Sequence, residues 1–326
     1  MSSGASQAPV YETVRRPMVG ISLKILSTIV FTVMSGLIKL IIDELPTGQI
    51  VFARNLVGLV PVLLMMAWQG QLPAALKTQR PFGHFVRAIV GVTAMTMNFA
   101  ALAFIALPDA TAIGYAAPLI TVVMAVFFLG EVVGIFRWSA VGVGFLGVII
   151  ILAPNLNIGS MDQGTTIGAS IALFATLFMA GAAIIVRKLI TSERSATIVL
   201  WFSGSSSIIA LATIPLGYFF PGQSWVMPVG WQWGILGLIG ILGGLGQILM
   251  TTSYRFADAS TIAPFDYTTI IWATAIGWMV FGEVPGMSVV IGASVVIAAG
   301  LFVLYREHRL GIDRTRVRRA STPGKI

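Results

Sequence analysis

Twenty basic and twelve acidic side chains are spread over 326 residues, and a few of them stand inside long apolar runs, where charge is costly. Asp266 follows Pro264 about seven residues into one such run, hence ~10 Å from its end at about 1.5 Å per residue. A carboxyl there can take up and release a proton, or hold a substrate amine. Arg54 lies at a similar depth from the opposite face, and Arg87 about five residues into another run. A fixed guanidinium offers a carboxylate two parallel hydrogen bonds. The structural alternative pairs Arg54 or Arg87 with Asp266 and leaves neither for a substrate; Arg87 is also long enough to snorkel to lipid phosphates. Asn98 and Gln247 can line a polar cavity or join helices through a hydrogen bond. Tyr115, Tyr267 and Trp272 can wall a pocket for an apolar or ring-bearing substrate, or simply pack. These eight residues are the expected substrate-binding or coupling set.

The composition decides what surrounds them. Hydrophobic residues make up 57% of the chain and charged ones 10%, against roughly 25% charged in an ordinary globular domain. Mean hydropathy is +0.93. An aqueous exterior for a chain this long needs more polar side chains than that, so disordered, collagen-like and disulfide-scaffold classes are excluded. The chain has no cysteine, hence no thiolate nucleophile or thiolate metal site. The remaining solvent is the lipid bilayer.

A hydrocarbon core ~30 Å thick takes ~20 apolar residues per helix. Ten spans are expected: 18–41, 47–68, 82–106, 109–130, 136–153, 165–188, 196–219, 230–254, 259–281 and 286–305. The first is too long for a signal-peptide core and lacks a cleavage site. Counting Lys and Arg in alternate connectors places Arg15, Arg16, Lys77, Arg80, Arg137, Arg187, Lys188, Arg194, Arg255 and the C-terminal arginines on one side. Asp43, Glu44, Asp109, Asp162 and Glu283 fall on the other. Both termini are therefore expected in the cytoplasm of a multi-pass inner-membrane protein. The net charge of +8 sits in connectors and in the tail from Arg306 to Lys325, where it attracts anionic lipid at about 1 kcal/mol per charge; nothing accompanies it that reads nucleic acid.

The chain also resembles itself at an offset of about 150. Gly20-Ile-Ser22 through Gly36-Leu-Ile-Lys39 matches Gly168-Ala-Ser170 through Ile184-Ile-Val-Arg187. Asn98 corresponds to Gln247, and Asp109-Ala-Thr-Ala-Ile113 to Asp258-Ala-Ser-Thr-Ile262. Leu129-Gly-Glu-Val132 matches Phe281-Gly-Glu-Val284. Five spans per unit is odd, so the second copy enters the membrane inverted, a recurrent transporter architecture. The expected fold class is an all-α membrane protein with ten transmembrane helices as two inverted five-helix repeats. Residues 1–17 form a tail, 18–153 the first repeat, 154–164 an outer connector, 165–305 the second repeat and 306–326 a basic tail.

Local expectations follow. Asp109 and Asp258 are read as N-caps, and Glu131 and Glu283 as parts of hydrogen-bonded turns, with gating as the alternative. Lys24 and Lys39 are expected to snorkel, and His84 to lie at the cytoplasmic lip. The Gly240–Gly244 pair is read as a packing surface, and Trp68, Trp138, Trp201, Trp225, Trp231 and Trp233 as interfacial.

Taken together, the five-plus-five spans, Arg54 in the second helix, the run from Ala106 through Pro108 and Asp109 to Ile113, Pro118, and the Gly-Glu closing the fourth and ninth helices resemble the drug/metabolite transporter superfamily. The EamA branch of small-metabolite exporters is the nearest match, over residues 18 to 305. The resemblance implies a secondary transporter of the cell membrane, with members exporting amino acids or other metabolites and some importing. One departure is that Pro118 has Ile270 at its counterpart while Pro264 comes earlier, which puts the break in the ninth helix at another depth.

The expected function is export of a small metabolite such as an amino acid by alternating access, with proton coupling through Asp266. The expected partners are that small molecule, protons and the lipid bilayer, with no cofactor and no metal; monomer and homodimer both stay open. A lipid flippase or scramblase, or an importer, fits the same fold. A membrane-embedded enzyme is disfavoured because H-E-x-x-H, G-x-S-x-G and P-loop patterns are missing from the sequence.

Overall fold

The computed structural model describes residues 16–131, 133–156, 163–190, 192–219, 222–257 and 259–309. Among these residues every regular element is helical. Seven helices are long and apolar enough to cross a membrane: Pro17–Ile41, Thr47–Trp68, Leu107–Leu129, Ile135–Leu152, Gln163–Leu189, Gly230–Ser253 and Met287–Arg306. Ala196–Leu211 is a shorter apolar helix.

The elements needed below are α1 (Pro17–Ile41), α2 (Thr47–Trp68), α3 (Leu72–Ala75), α4 (Pro81–Ala101), α5 (Leu107–Gly114), α6 (Ala116–Leu129), α7 (Ile135–Leu152), α8 (Gln163–Leu189), α9 (Ser195–Leu211), α10 (Leu216–Phe219), α11 (Gly230–Phe256), α12 (Ala259–Ile262), α13 (Thr269–Phe281) and α14 (Met287–Arg309). Pro17 and Pro81 open α1 and α4 at positions whose amide needs no helical partner. α4 ends at Ala101 rather than at the expected 106. Its frayed carbonyls are taken by a cation, with Lys39 Nζ donating to the carbonyls of Leu102 (3.1 Å) and Ile105 (2.7 Å). α9 stops at Leu211, short of the expected 219, because Pro215 denies the helix an amide and disfavours helical backbone just before it.

Packing between helices follows the internal repeat. α1 packs on α11, and its counterpart α8 packs on α4. α2 packs on α11 while α9 packs on α4, and α6 lies on α8 as α13 lies on α1. These interfaces pair off under exchange of the halves, each half lending its helices to the other. α2 meets its own counterpart α9, and α7 meets α14, so a pseudo-twofold axis runs between them. At the α7–α14 crossing a Cβ on Gly147 would meet the carbonyl of Gly292, and one on Gly292 the carbonyl of Gly147. The expected packing role of Gly240 and Gly244 is met on α2, where they clear Val57, Pro61 and the Gly58 carbonyl.

The expected span at 259–281 is interrupted. α12 gives way to a 3-10 segment, Ala263–Thr268, before α13 begins. Pro264 lies in the opening turn of that segment, where its missing amide breaks the α-helical ladder. In the first half α5 and α6 meet at Tyr115, three residues before Pro118. Tyr115 and Tyr267 correspond, so the two breaks share one register. The expectation of different depths is corrected: the two prolines differ in position but loosen the same turn.

Candidate functional site

Asp266 is on the 3-10 segment and its Oδ1 lies 2.6 Å from Lys24 Nζ. The carboxylate side chain is about half exposed (52%), whereas Lys24 is buried at 3%. This overturns two expectations. Asp266 pairs with neither Arg54 nor Arg87, and Lys24 does not snorkel but turns inward. The reason is depth: Lys24 and Asp266 stand about equally far from the same end of their spans, and a desolvated ammonium gains most from a carboxylate at its own level. A half-exposed carboxylate inside a span needs water rather than lipid on its open side. Beside the pair, the Thr28 and Thr268 hydroxyls are 3.1 Å apart.

Arg54 (α2) and Arg87 (α4) are two further cations, on helices that pack against each other. Arg54 is 7% exposed; its Nη1 donates to Asn55 Oδ1 at 3.0 Å, while its Nε is buried without an acceptor. Arg87 lies flat on the Phe202 ring, with Cζ 4.1 Å from the centroid, a favourable cation–π geometry. Its Nε and Nη1 are likewise buried and unpartnered. Among the described residues, no carboxylate lies within ion-pair distance of either. Each is accommodated by a glycine: a methyl on Gly91 would collide with Arg87 Nη1 and with Phe202, and one on Gly243 would press on Arg54 Nε. Two buried, like-charged donors without an anion are costly to maintain.

The aromatic pair divides from this. Tyr115 and Tyr267 meet edge to face with centroids 5.2 Å apart. The Tyr115 hydroxyl donates to the carbonyl of Tyr267 (3.1 Å) and accepts from the amide of Ile270 (3.0 Å). It therefore braces the broken backbone, which has no water to turn to in lipid. Tyr267 lays its hydroxyl over Gly300 of α14. Trp272 is partly buried with Nε1 unpartnered. Asn98 and Gln247 are half-buried on helices that pack against different neighbours, α4 on α8 and α9 and α11 on α1 and α2. Among the described residues no hydrogen bond joins them, so the direct-bond alternative is not realised.

Other expectations change as well. His84 is fully buried rather than at the surface; it stacks on Trp201 (5.7 Å between centroids), and Nε2 is 3.9 Å from Glu193 Oε1. Glu193 accepts from Thr78 Oγ1 (2.8 Å) and from the amides of Gln79 (2.8 Å) and Arg80 (3.0 Å), which ties the α3–α4 connector to the α8–α9 connector. Burial alone would raise the Glu193 pKa, but these bonds and the nearby His84 outweigh it and hold the carboxyl below its ordinary value. Asp109 sits in the first turn of α5 without a cap bond, the N-cap being Ala106; Asp258 lies outside the described residues. Lys39 does not snorkel either, and is drawn inward to Glu283 at 2.8 Å.

Comparison with known proteins places this arrangement. The model of the EamA-like transporter family matches twice, over residues 18–153 and 166–305. The chain belongs to the EamA-like transporter family. It is 28% identical over 281 residues to the pseudopaline exporter of Pseudomonas aeruginosa, covering 86% of this chain and 94% of that one. It is 27% identical over 290 residues to the S-adenosylmethionine uptake transporter of Rickettsia prowazekii (89% and 94% covered). The riboflavin transporter of Rhizobium johnstonii shares 29% over 236 residues (72% and 74%). One solved crystal structure superposes with a TM-score of 0.61 at 15% identity, covering 90% of this chain and 98% of that chain, which shows a shared fold. This EamA-family chain is accordingly a multi-pass membrane transporter, and its relatives include both exporters and importers of small metabolites.

Three contributors to the site of this family member escape a reading of the sequence. Lys24 is signalled by its depth matching that of Asp266. Gly91 is signalled by its place four residues after Arg87, on the same helical face. Phe202 has no local signal, since only the packing of α4 on α9 brings it beneath Arg87.

Proposed function

We propose that the protein is a ten-span secondary carrier of the cytoplasmic membrane, with both termini inside, that exports a small metabolite bearing a carboxylate or similar anion. α4, α9 and the broken helix of α12 and α13 complete the ten spans. The halves are residues 18–153 and 165–305, joined by the outer connector 154–164. Arg54 and Arg87 hold the anionic group of the substrate, and Trp272, Asn98 and Gln247 face the same chamber. Tyr115 and Tyr267 keep the broken helix in shape. Asp266, balanced by Lys24, exchanges a proton with the chamber and couples transport to the proton gradient.

The observation that carries this reading is that Arg54 Nε and Arg87 Nε and Nη1 are buried without an acceptor. A bilayer-embedded Arg costs ~2.5–3.5 kcal/mol on insertion scales, and two on adjoining helices without a carboxylate are most simply explained by an anion that comes and goes. Counterflow in proteoliposomes across amino acids, nucleosides and vitamins tests it. Arg54→Ala and Arg87→Ala are expected to lower uptake of carboxylated substrates by tenfold or more and to spare neutral ones. Equal loss for neutral substrates would reassign both residues to structure, and full gradient-driven transport by Asp266→Asn would withdraw the coupling role.

A further inference from the structure

Each half closes its fourth span with the same corner. α6 stops at Gly130 and α13 at Gly282, both in the left-handed region (φ 64° and φ 67°) that favours glycine. The next amide bonds back into the helix, Glu131 to the carbonyl of Ala125 (3.2 Å) and Glu283 to that of Gly277 (2.9 Å). The turn thus presents a carboxylate identically in both halves.

Each carboxylate meets the basic residue near the end of the other half's first helix. Glu283 Oε1 lies 2.8 Å from Lys39 Nζ, and Glu131 Oε1 lies 3.4 Å from Arg187 Nη1. Lys39 and Arg187 are themselves corresponding residues. The two corners sit at opposite ends of α4: Lys39 bonds the carbonyls just beyond its C-terminus, while Leu189, two residues past Arg187, borders Gly83 near its N-terminus. About 30 Å separates those ends, at about 1.5 Å per residue.

Chemically the corners are equivalent, but their states differ. At the Lys39 corner both side chains are largely covered (13% and 20% exposed). Glu283 Oε2 also accepts from the amide of Leu107 at 2.9 Å, so one cluster fastens α1, the α4–α5 turn and the end of α13 together. At the Arg187 corner the contact is longer and the side chains are 49% and 32% exposed.

We propose that these two cross-repeat ion pairs are the alternating latches of the transport cycle: both are made in the state seen here, Lys39–Glu283 short and covered and Arg187–Glu131 longer and exposed, and the opposite-facing state reverses which of the two is tight. The proposal rests on the alternating-access reading. Inverted halves reverse the pathway by exchanging conformations, and exchange converts the short, covered pair into the longer, exposed one and the reverse. Tightening one latch is thereby tied to loosening the other.

The absence of native cysteine makes the test clean. Thr111, four residues beyond Leu107 on α5, is replaced by cysteine as the single thiol in the full-length chain. Its reaction with a membrane-impermeant maleimide is timed in intact cells and in inside-out vesicles, with complete labelling after denaturation as the control for amount. No substrate is needed, so the outcome does not depend on the anion site. Glu283→Gln and Lys39→Met are each expected to speed labelling in cells by about tenfold or more, the double variant no faster than either alone. Glu131→Gln is expected to slow labelling below that of the parent, because it weakens the state open on that side. That opposite sign separates a latch from a brace, since removing a brace loosens the fold whichever end it holds. Wild-type rates in both Glu283→Gln and Lys39→Met, or faster labelling in Glu131→Gln, would overturn the proposal. The same rises and falls seen only in inside-out vesicles would uphold the latches and overturn the proposed orientation.

Discussion

The Lys24–Asp266 pair makes an asymmetric prediction. Its two members are 2.6 Å apart but unequally placed, Lys24 being 3% exposed and Asp266 52%. Removing one partner of a fully buried pair costs about 3–5 kcal/mol, because the other charge is stranded without compensation. Asp266→Asn takes this carboxylate from a buried ammonium that keeps a further contact, so the cost belongs at the low end of that range, about 3 kcal/mol. Lys24→Met leaves a carboxylate already half in water, and solvent screening brings the cost to about 1 kcal/mol. The double variant Lys24→Met/Asp266→Asn removes both charges and should recover most of the loss caused by Asp266→Asn alone. Thermal unfolding of the detergent-purified protein at neutral pH reads the order: Asp266→Asn lowest, then the double variant and Lys24→Met close together, then wild type. If Lys24→Met is the most damaging, or if the two losses simply add, the assignment of Lys24 as the buried partner of Asp266 is wrong.

Two further outcomes are expected. Gly91→Ala should mimic Arg87→Ala in transport, raising KM for carboxylated substrates by about tenfold at unchanged expression, since its methyl would occupy the place of the guanidinium; proteoliposome uptake checks it. Glu193 is held below its ordinary pKa, so its contribution is full above the unfolded-state value near 4.3 and fades as pH falls through the lower folded value. Melting temperature followed from pH 7 to pH 3 should therefore drop less steeply for Glu193→Gln than for wild type, while starting lower at pH 7.

The membrane setting, the repeat and most helix positions are legible in the sequence because hydrophobic run length and a fixed offset are one-dimensional quantities. Seven of the ten expected spans meet the length and hydropathy of a membrane helix. Of the others, α9 stops short before Pro215, the ninth span is interrupted at Pro264, and α4 is long enough but made more polar by His84, Arg87 and Asn98. Partner choice is not legible in the same way. Asp266 selects Lys24, Lys39 selects Glu283, and His84 selects Trp201 and Glu193 because helices from different halves lie side by side. Snorkelling is a sound default for a lone lysine near a helix end, and it fails twice here because each lysine has a carboxylate at its own depth. Tyr115 shows the same limit: its hydroxyl serves the backbone of a segment 152 residues away, a distance no local pattern encodes.

The swapped packing of the halves bears on how the chain is made. α1 ends at Ile41, yet the helix it leans on, α11, begins only at Gly230. α1 leaves the ribosome long before α11 and must wait in the lipid, with Lys24 and its threonines exposed, until the intervening polypeptide has followed. A fold swapped in this way therefore calls for insertion machinery that shelters polar helices during that delay.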